Sequence, residues 1–330
     1  MSLFGNKVKS FTLPIISYAV PTFVLVYPSF FVNWLSDSMH LAYWQVFAIV
    51  ALPFLGRIIG SFVYQLFKSS VIPYCFPLLG FLVILQNFLG ELIFVRFLVG
   101  IIFGLLTSYA VESAVRSGRN VLVGFTTAGW SIGWVISYLA YSFLKNWNVI
   151  TISGIAIMLL ALFELNKKEF RRDLSSVSFP KLSSILIYIS ALTPAFILQV
   201  MPSFLEAIKL TWLILPSYLL SIPTYVLLPI ISEKVGIRKV LVISSIIVIL
   251  SCIITFLLLP MVVIVFTSVG LGILGITPKY LAMRGEDPKR MGLALNIGSV
   301  MGLIVPVLYG LMPLSSEFLL SILVVLMLLI

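Results

Sequence analysis

Acidic residues are scarce in this chain: 11 Asp and Glu stand against 21 Lys and Arg, with one histidine and two cysteines in 330 residues. Each shortage excludes something. Cys75 and Cys252 both fall inside apolar runs, so neither a disulfide framework nor a zinc site is expected. His40 lies in a short polar stretch, which argues against histidine-based catalysis. No Asp or Glu stands in the middle of a long apolar run; Glu112, Glu164 and Glu206 are near run ends. Only 10% of residues are charged, whereas a soluble domain is about one quarter charged. No polar block is long enough for a soluble catalytic or signalling domain, and no acid, histidine or metal cluster suits a membrane enzyme. The expectation is a non-enzyme without cofactor.

What is abundant is apolar. Hydrophobic residues make up 61% of the chain. Apolar runs of about 16–25 residues recur from end to end, and a helix needs about 20 to cross the bilayer core. The runs read as twelve spans: 12–35, 42–67, 71–90, 92–112, 121–144 and 148–165, then 184–205, 210–231, 239–259, 261–283, 291–312 and 316–330. The expected class is an all-α, multi-pass membrane protein. The basic start "MSLFGNKVKS" is not followed by a small-residue cleavage site, so the first run is read as a retained span.

Charge placement supplies the orientation. With the N-terminus in the cytoplasm, 17 of the 21 basic residues fall on the inner side. Only Lys145 and Lys209 fall outside, while Arg57 and Arg96 lie within spans. This asymmetry is what the positive-inside rule requires of twelve spans with both termini cytoplasmic in a cell membrane. It accounts for the net charge of +10 without nucleic acid.

The longest connection, "NKKEFRRDLSSVSFPKLSS", divides the chain into 1–165, a basic linker 166–183, and 184–330. The halves repeat: "PTFVLVYPSF" (Pro21–Phe30) matches "PAFILQVMPSF" (Pro194–Phe204), and "GWSIG" (Gly129–Gly133) matches "GSVMG" (Gly298–Gly302). Two six-span parallel repeats are a transporter architecture. Spans three, six, nine and twelve are apolar on nearly every face and suit lipid contact. The other eight can surround a cavity.

Arg57, in "ALPFLGRIIGSF", is the most conspicuous residue. It lies roughly 4 Å beyond its span's middle, in a core with a half-thickness of roughly 15 Å. A cation there costs about 2.5–3.5 kcal/mol. Pro53, Gly60, Ser61 and Tyr64 share its helical face, whereas Leu55, Ile59, Phe62 and Leu66 point elsewhere. Arg57 should therefore face the bundle interior. There it would either clamp an anion or rest on carbonyls of a neighbouring helix. Arg96 is near the outer end of its span and would either snorkel outward or take part in coupling. Lys279 reads as an interface anchor or a cavity residue. Tyr27, Trp130, Trp134, Gln199, Tyr225 and Asn296 are candidate cavity residues, and ordinary packing is the alternative for each. Glycine pairs Gly56/Gly60, Gly100/Gly104, Gly129/Gly133 and Gly298/Gly302 predict close helix contacts.

Several stretches resemble the major facilitator superfamily. "PIISEKVGIRK" (Pro229–Lys239) is similar to the family's cytoplasmic gate motif, matching it at Glu233, Lys234, Gly236, Arg238 and Lys239, with Pro229 in place of a glycine. "RFLVG" (Arg96–Gly100) resembles the fourth-span motif. "FLGRIIG" (Phe54–Gly60) and "GWSIGWVIS" resemble the branch of metabolite, lactate and sialate:proton symporters, with Ile58 in place of a proline. The glycine-proline pair of the antiport signature is absent, since Trp134 follows Gly133, which argues against drug efflux. The first-half gate loop lacks an acid, so that gate would rest on Glu112 with Arg116 or Arg119.

The resemblance implies a monomeric alternating-access carrier of a small organic anion, with proton symport. Its partners would be that substrate, the bilayer and protons. Arg57, Tyr27, Trp130, Gln199, Tyr225 and Asn296 would line the substrate site. Arg96 and Glu112 would serve coupling, and Arg116, Arg119, Glu233, Lys234, Gly236 and Arg238 the cytoplasmic gate. A carrier of sugars or neutral metabolites with a structural Arg57 is the alternative.

Overall fold

The computed structural model describes residues 2–67, 69–164, 177–192, 209–257, 260–302 and 304. The described backbone is helical, with no strand among the described residues. The first eight helices are α1 (Ser2–Val26), α2 (Val32–Met39), α3 (Tyr43–Tyr64), α4 (Ile72–Leu85), α5 (Leu92–Arg116), α6 (Asn120–Thr127), α7 (Gly129–Leu144) and α8 (Val149–Glu164). Then come α9 (Leu182–Leu192), α10 (Ile214–Val235), α11 (Ile237–Leu257), α12 (Val263–Met283) and α13 (Pro288–Gly298).

Among the described residues, 7 helical stretches are long and apolar enough to cross a membrane, and α4, α8 and α9 supply shorter apolar segments. Large apolar side chains such as Leu55, Phe81, Ile152 and Leu250 face outward. Such a surface belongs in lipid, because a water-facing apolar patch of that extent drives association. The protein is an all-helical, multi-pass membrane protein. The expected span 316–330 and the candidate Gln199 lie outside the described residues.

Local chemistry explains the breaks. Pro28 cannot donate a helical hydrogen bond, and α1 gives way to a 3-10 turn at Tyr27–Phe31. The expected fifth span is interrupted at Ala128, where the Thr127 hydroxyl donates back to the Val123 and Gly124 carbonyls at 2.9 and 3.1 Å. Such back-bonding bends helices.

The connection expected at 232–238, between spans 210–231 and 239–259, is shorter in the structure: the chain is helical on both sides of a single residue, Gly236, with φ of 98°. Only glycine takes that backbone region readily, so one residue suffices to turn the chain. Helix α5 also runs past its expected end to Arg116, placing Glu112 and Arg116 one turn apart.

Glycines set the closest helix contacts. A Cβ on Gly60 would meet the Ile101 carbonyl, and one on Gly104 would meet the Arg57 carbonyl. Both therefore hold α3 and α5 backbone to backbone. Gly129 and Gly133 pack α7 against Tyr18 and Thr22 of α1, and Gly298 packs α13 against Tyr188 of α9. Helices α4 and α8 meet through Gly80 and Gly154. As expected for apolar spans, α4, α8 and α11 carry exposed residues such as Leu78, Ile155 and Ile243.

Two large hydrophobic clusters, with a small third at Ala114, Leu122 and Val123, fill the interior of the described residues. One lies within residues 13–157. The other joins Tyr18, Phe103 and Trp130 to Tyr188, Tyr218, Tyr225 and Leu295. Across that seam α13 packs on α3 and α5, and α10 packs on α6 and α7.

Candidate functional site

Arg57 is 1% exposed and faces the interior, as the residue spacing on α3 predicts. Its Nε donates to Asn296 Oδ1 at 2.9 Å. A guanidinium only donates, which fixes the amide's orientation. Asn296 Nδ2 in turn donates to Ser61 Oγ at 2.6 Å, Gly292 O at 2.9 Å and Thr107 Oγ1 at 3.2 Å. The Ser61 hydroxyl donates to Arg57 O and the Thr107 hydroxyl to Phe103 O, both at 2.8 Å. A single amide on α13 thus fills a socket made by α3 and α5.

Around the guanidinium are aromatic faces. Its carbon lies 4.1 Å from the Phe103 ring centre, 5.5 Å from Phe54 and 5.7 Å from Trp130. These provide cation–π stabilisation but no counter-charge. Arg57 Nη1 is buried and makes no hydrogen bond. In the same hydrophobic cluster Trp134 stacks on Tyr218 at 4.6 Å and 6°, joining α7 to α10. Trp134 Nε1, Tyr188 Oη, Tyr218 Oη and Ser217 Oγ are likewise buried without a hydrogen bond. The guanidinium and indole N–H groups can only donate, whereas the hydroxyls can donate or accept and the Asn296 amide oxygen keeps a second lone pair. Arg57 Nη1 and Trp134 Nε1 are therefore donors without an acceptor. A buried polar group left unpaired costs about 1–3 kcal/mol, and more when charged.

Arg96 does not snorkel outward, one of the two alternatives for it. It is fully buried, and it donates to Ile49 O, Val24 O and Leu25 O at 2.9, 2.9 and 2.8 Å. Two of these carbonyls are orphans for a readable reason. Ile49 is four residues before Pro53, and Val24 is four before Pro28, so neither has the helical N–H that would pair with it. Leu25 sits where α1 changes to the 3-10 turn. Arg96 rests on the backbone, the arrangement considered for Arg57, while Arg57 does not.

Tyr27 is also a correction. Its hydroxyl donates to Asn146 O at 2.9 Å, its ring packs on Phe31 at 5.2 Å, and it belongs to the cluster that excludes Phe103 and Trp130. Trp130 stands beside Arg57, and Asn296 bonds to it directly. Tyr225 is buried in the shared cluster; Pro229 deprives its carbonyl of a helical donor, and Gly124 and Gly275 close on that oxygen.

Toward the other end of these helices, Glu112 accepts from Tyr64 Oη and from Arg116 Nε, both at 2.8 Å. Glu233 of α10 accepts from the side-chain amide of Asn120 at the start of α6. Arg119, Lys234, Gly236 and Arg238 lie at the surface. Lys279 lines a cavity of about 310 Å³ together with Val115, Asn120 and Met283. The Ser178 N–H donates to Gln65 Oε1 at 3.0 Å, and Glu286 accepts from Lys181 N and Ser184 Oγ at 2.8 and 2.6 Å.

Sequence reasoning passed over Thr107, Asn120, Tyr188, Tyr218 and Glu286. The signal available was a polar residue inside or at the end of an apolar run. No known family model matches the chain, and no curated protein matches it.

Proposed function

We propose that this protein is a twelve-span transporter of the major facilitator type, carrying a small organic anion by alternating access. The observation that carries this reading is Arg57: a buried guanidinium in mid-span with an unpaired Nη1 and a neutral amide as its hydrogen-bonding partner. A carboxylate is the chemical complement of that group. Arg57 Nη1 and the indole N–H of Trp134, which can only donate, favour a ligand with acceptor oxygens.

The two-half architecture is supported by packing. Tyr18 meets Gly129 as Tyr188 meets Gly298, a first-span tyrosine against a fifth-span glycine in each half. The contacts of α3 with α13 and of α10 with α6 and α7 exchange when the halves are exchanged. The basic turns put the Glu112 and Glu233 ends in the cytoplasm, with both termini there. Proton symport is carried by the resemblance alone, and Glu112, a buried carboxylate at the inner end, is the group to serve it.

A thermal-shift screen of carboxylates against sugars at matched ionic strength tests the ligand class. Stabilisation by carboxylates and none by sugars is expected. The reverse pattern overturns the anion reading.

A further inference from the structure

We infer that Asn296 is a built-in stand-in for the ligand, an amide that occupies Arg57 when no anion does and thereby ties the two halves together. The inference rests on the anion reading of Arg57. Hydrogen bonds from α13 to the first half converge on this one amide: Arg57 Nε to Oδ1 at 2.9 Å, and Nδ2 to Ser61 Oγ and Thr107 Oγ1 at 2.6 and 3.2 Å. All four side chains are at most 1% exposed, so water does not compete for these bonds. One turn before Asn296, Gly292 lies directly on Ser108 of α5. The seam beside the amide is closed by the small residues Gly292 and Ser108.

The amide oxygen resembles half of a carboxylate in shape but carries no charge. The bond from Arg57 to the amide has one ionised partner; a carboxylate adds the second charge and a second oxygen, so it can take the guanidinium bidentately where the amide takes one N–H. An incoming carboxylate therefore binds first at the unpaired Nη1 and then displaces Oδ1 from the guanidinium. Once displaced, the amide loses the bond that holds it in the socket, and the tie between α3 and α13 weakens. Ligand arrival and loosening of the seam become one event. When the ligand leaves, the amide returns and covers a cation that would otherwise be buried without a strong partner. Asn296 is thus a positioning residue that acts through Arg57.

Two substitutions split the inference from a general packing role. Asn296→Asp puts a carboxylate on Arg57 permanently, and the Ser61 and Thr107 hydroxyls can turn to donate to its second oxygen. Asn296→Ala removes the competitor. Purified full-length wild type, both variants and Asn296→Ser are melted by tryptophan fluorescence, with sodium lactate or sodium succinate titrated against sodium chloride.

Asn296→Asp is expected to melt above wild type and to show no carboxylate shift. Asn296→Ala and Asn296→Ser are expected to melt below wild type and to reach half-maximal shift at about tenfold lower carboxylate, the equivalent of one competing hydrogen bond to a charged group. If Asn296→Asp melts at or below Asn296→Ala, the tie is refuted. If the alanine and serine variants need as much carboxylate as wild type, or more, the competition is refuted. If no carboxylate shifts the wild type but the aspartate variant still melts highest, the tie holds and the anion reading of Arg57 fails.

Discussion

The sharpest test of the structural reasoning is Arg96. Replacing it with methionine keeps most of the side-chain volume and deletes three hydrogen bonds, to Ile49 O, Val24 O and Leu25 O. Hydrogen bonds to charged groups contribute about 1.5–3 kcal/mol each. Against this, methionine removes the cost of burying a cation, for which the helix-centre figure of about 2.5–3.5 kcal/mol is the upper guide. The net loss is then about 1–6.5 kcal/mol, a range that includes the losses seen on breaking other buried charge networks. Lysine keeps the charge but has one nitrogen, which cannot span carbonyls on α1 and α3 at once, so Arg96→Lys should fall between wild type and Arg96→Met.

The reasoning makes a stronger demand on the prolines. In the Arg96→Met background, Pro53→Ala restores an N–H that Ile49 O can accept, and Pro28→Ala does the same for Val24 O. Each should recover about 1 kcal/mol beyond its effect in the wild-type background. Thermal or denaturant unfolding of the four proteins of each double-mutant cycle reads this directly. An Arg96→Met protein as stable as wild type, or prolines that show no coupling to Arg96, would refute the orphan-carbonyl account.

Further consequences are open to the same unfolding measurements. Gly60→Ala and Gly104→Ala each drive a methyl into the facing backbone and should cost about 1–3 kcal/mol or more, whereas Gly90→Ala, with open space around it, should change stability by less than about 0.5 kcal/mol. Gly236→Ala forces a side chain into a positive-φ conformation and should cost about 1–3 kcal/mol; equality with wild type would mean the α10–α11 turn tolerates another geometry. Glu112→Gln should leave folding nearly intact while uptake loses its dependence on a pH gradient. Unchanged pH dependence of uptake would remove Glu112 from coupling.

The frame of this protein was legible because bilayer thickness constrains apolar run length and because helical spacing constrains faces. Arg57 could be aimed inward from Pro53, Gly60, Ser61 and Tyr64 alone. The glycine pairs could be read as contacts, but not as contacts between which helices. Asn296 could be named as a polar residue in a span; its bond to Arg57, 239 positions away, depends on how α13 meets α3 and is invisible to local pattern.

The snorkelling alternative for Arg96 failed for an instructive reason. Its distance from the span end suggested snorkelling, while the prolines four residues after Val24 and Ile49 already marked two carbonyls in need of a donor. Tyr27 was misread because a polar tip on a span says nothing about which neighbour it reaches; Asn146 takes its hydroxyl. The connection within the gate stretch was read as 232–238 because charge and glycine suggest turns, yet only Gly236 leaves the helix.

The account stands most directly on uptake into proteoliposomes. Wild-type protein should take up a radiolabelled small carboxylate such as lactate, Arg57→Lys should retain a reduced rate, and Arg57→Ala should be reduced to the rate of empty vesicles, with each variant reconstituted to the same level. Carboxylate uptake by Arg57→Ala at the wild-type rate would contradict the central claim.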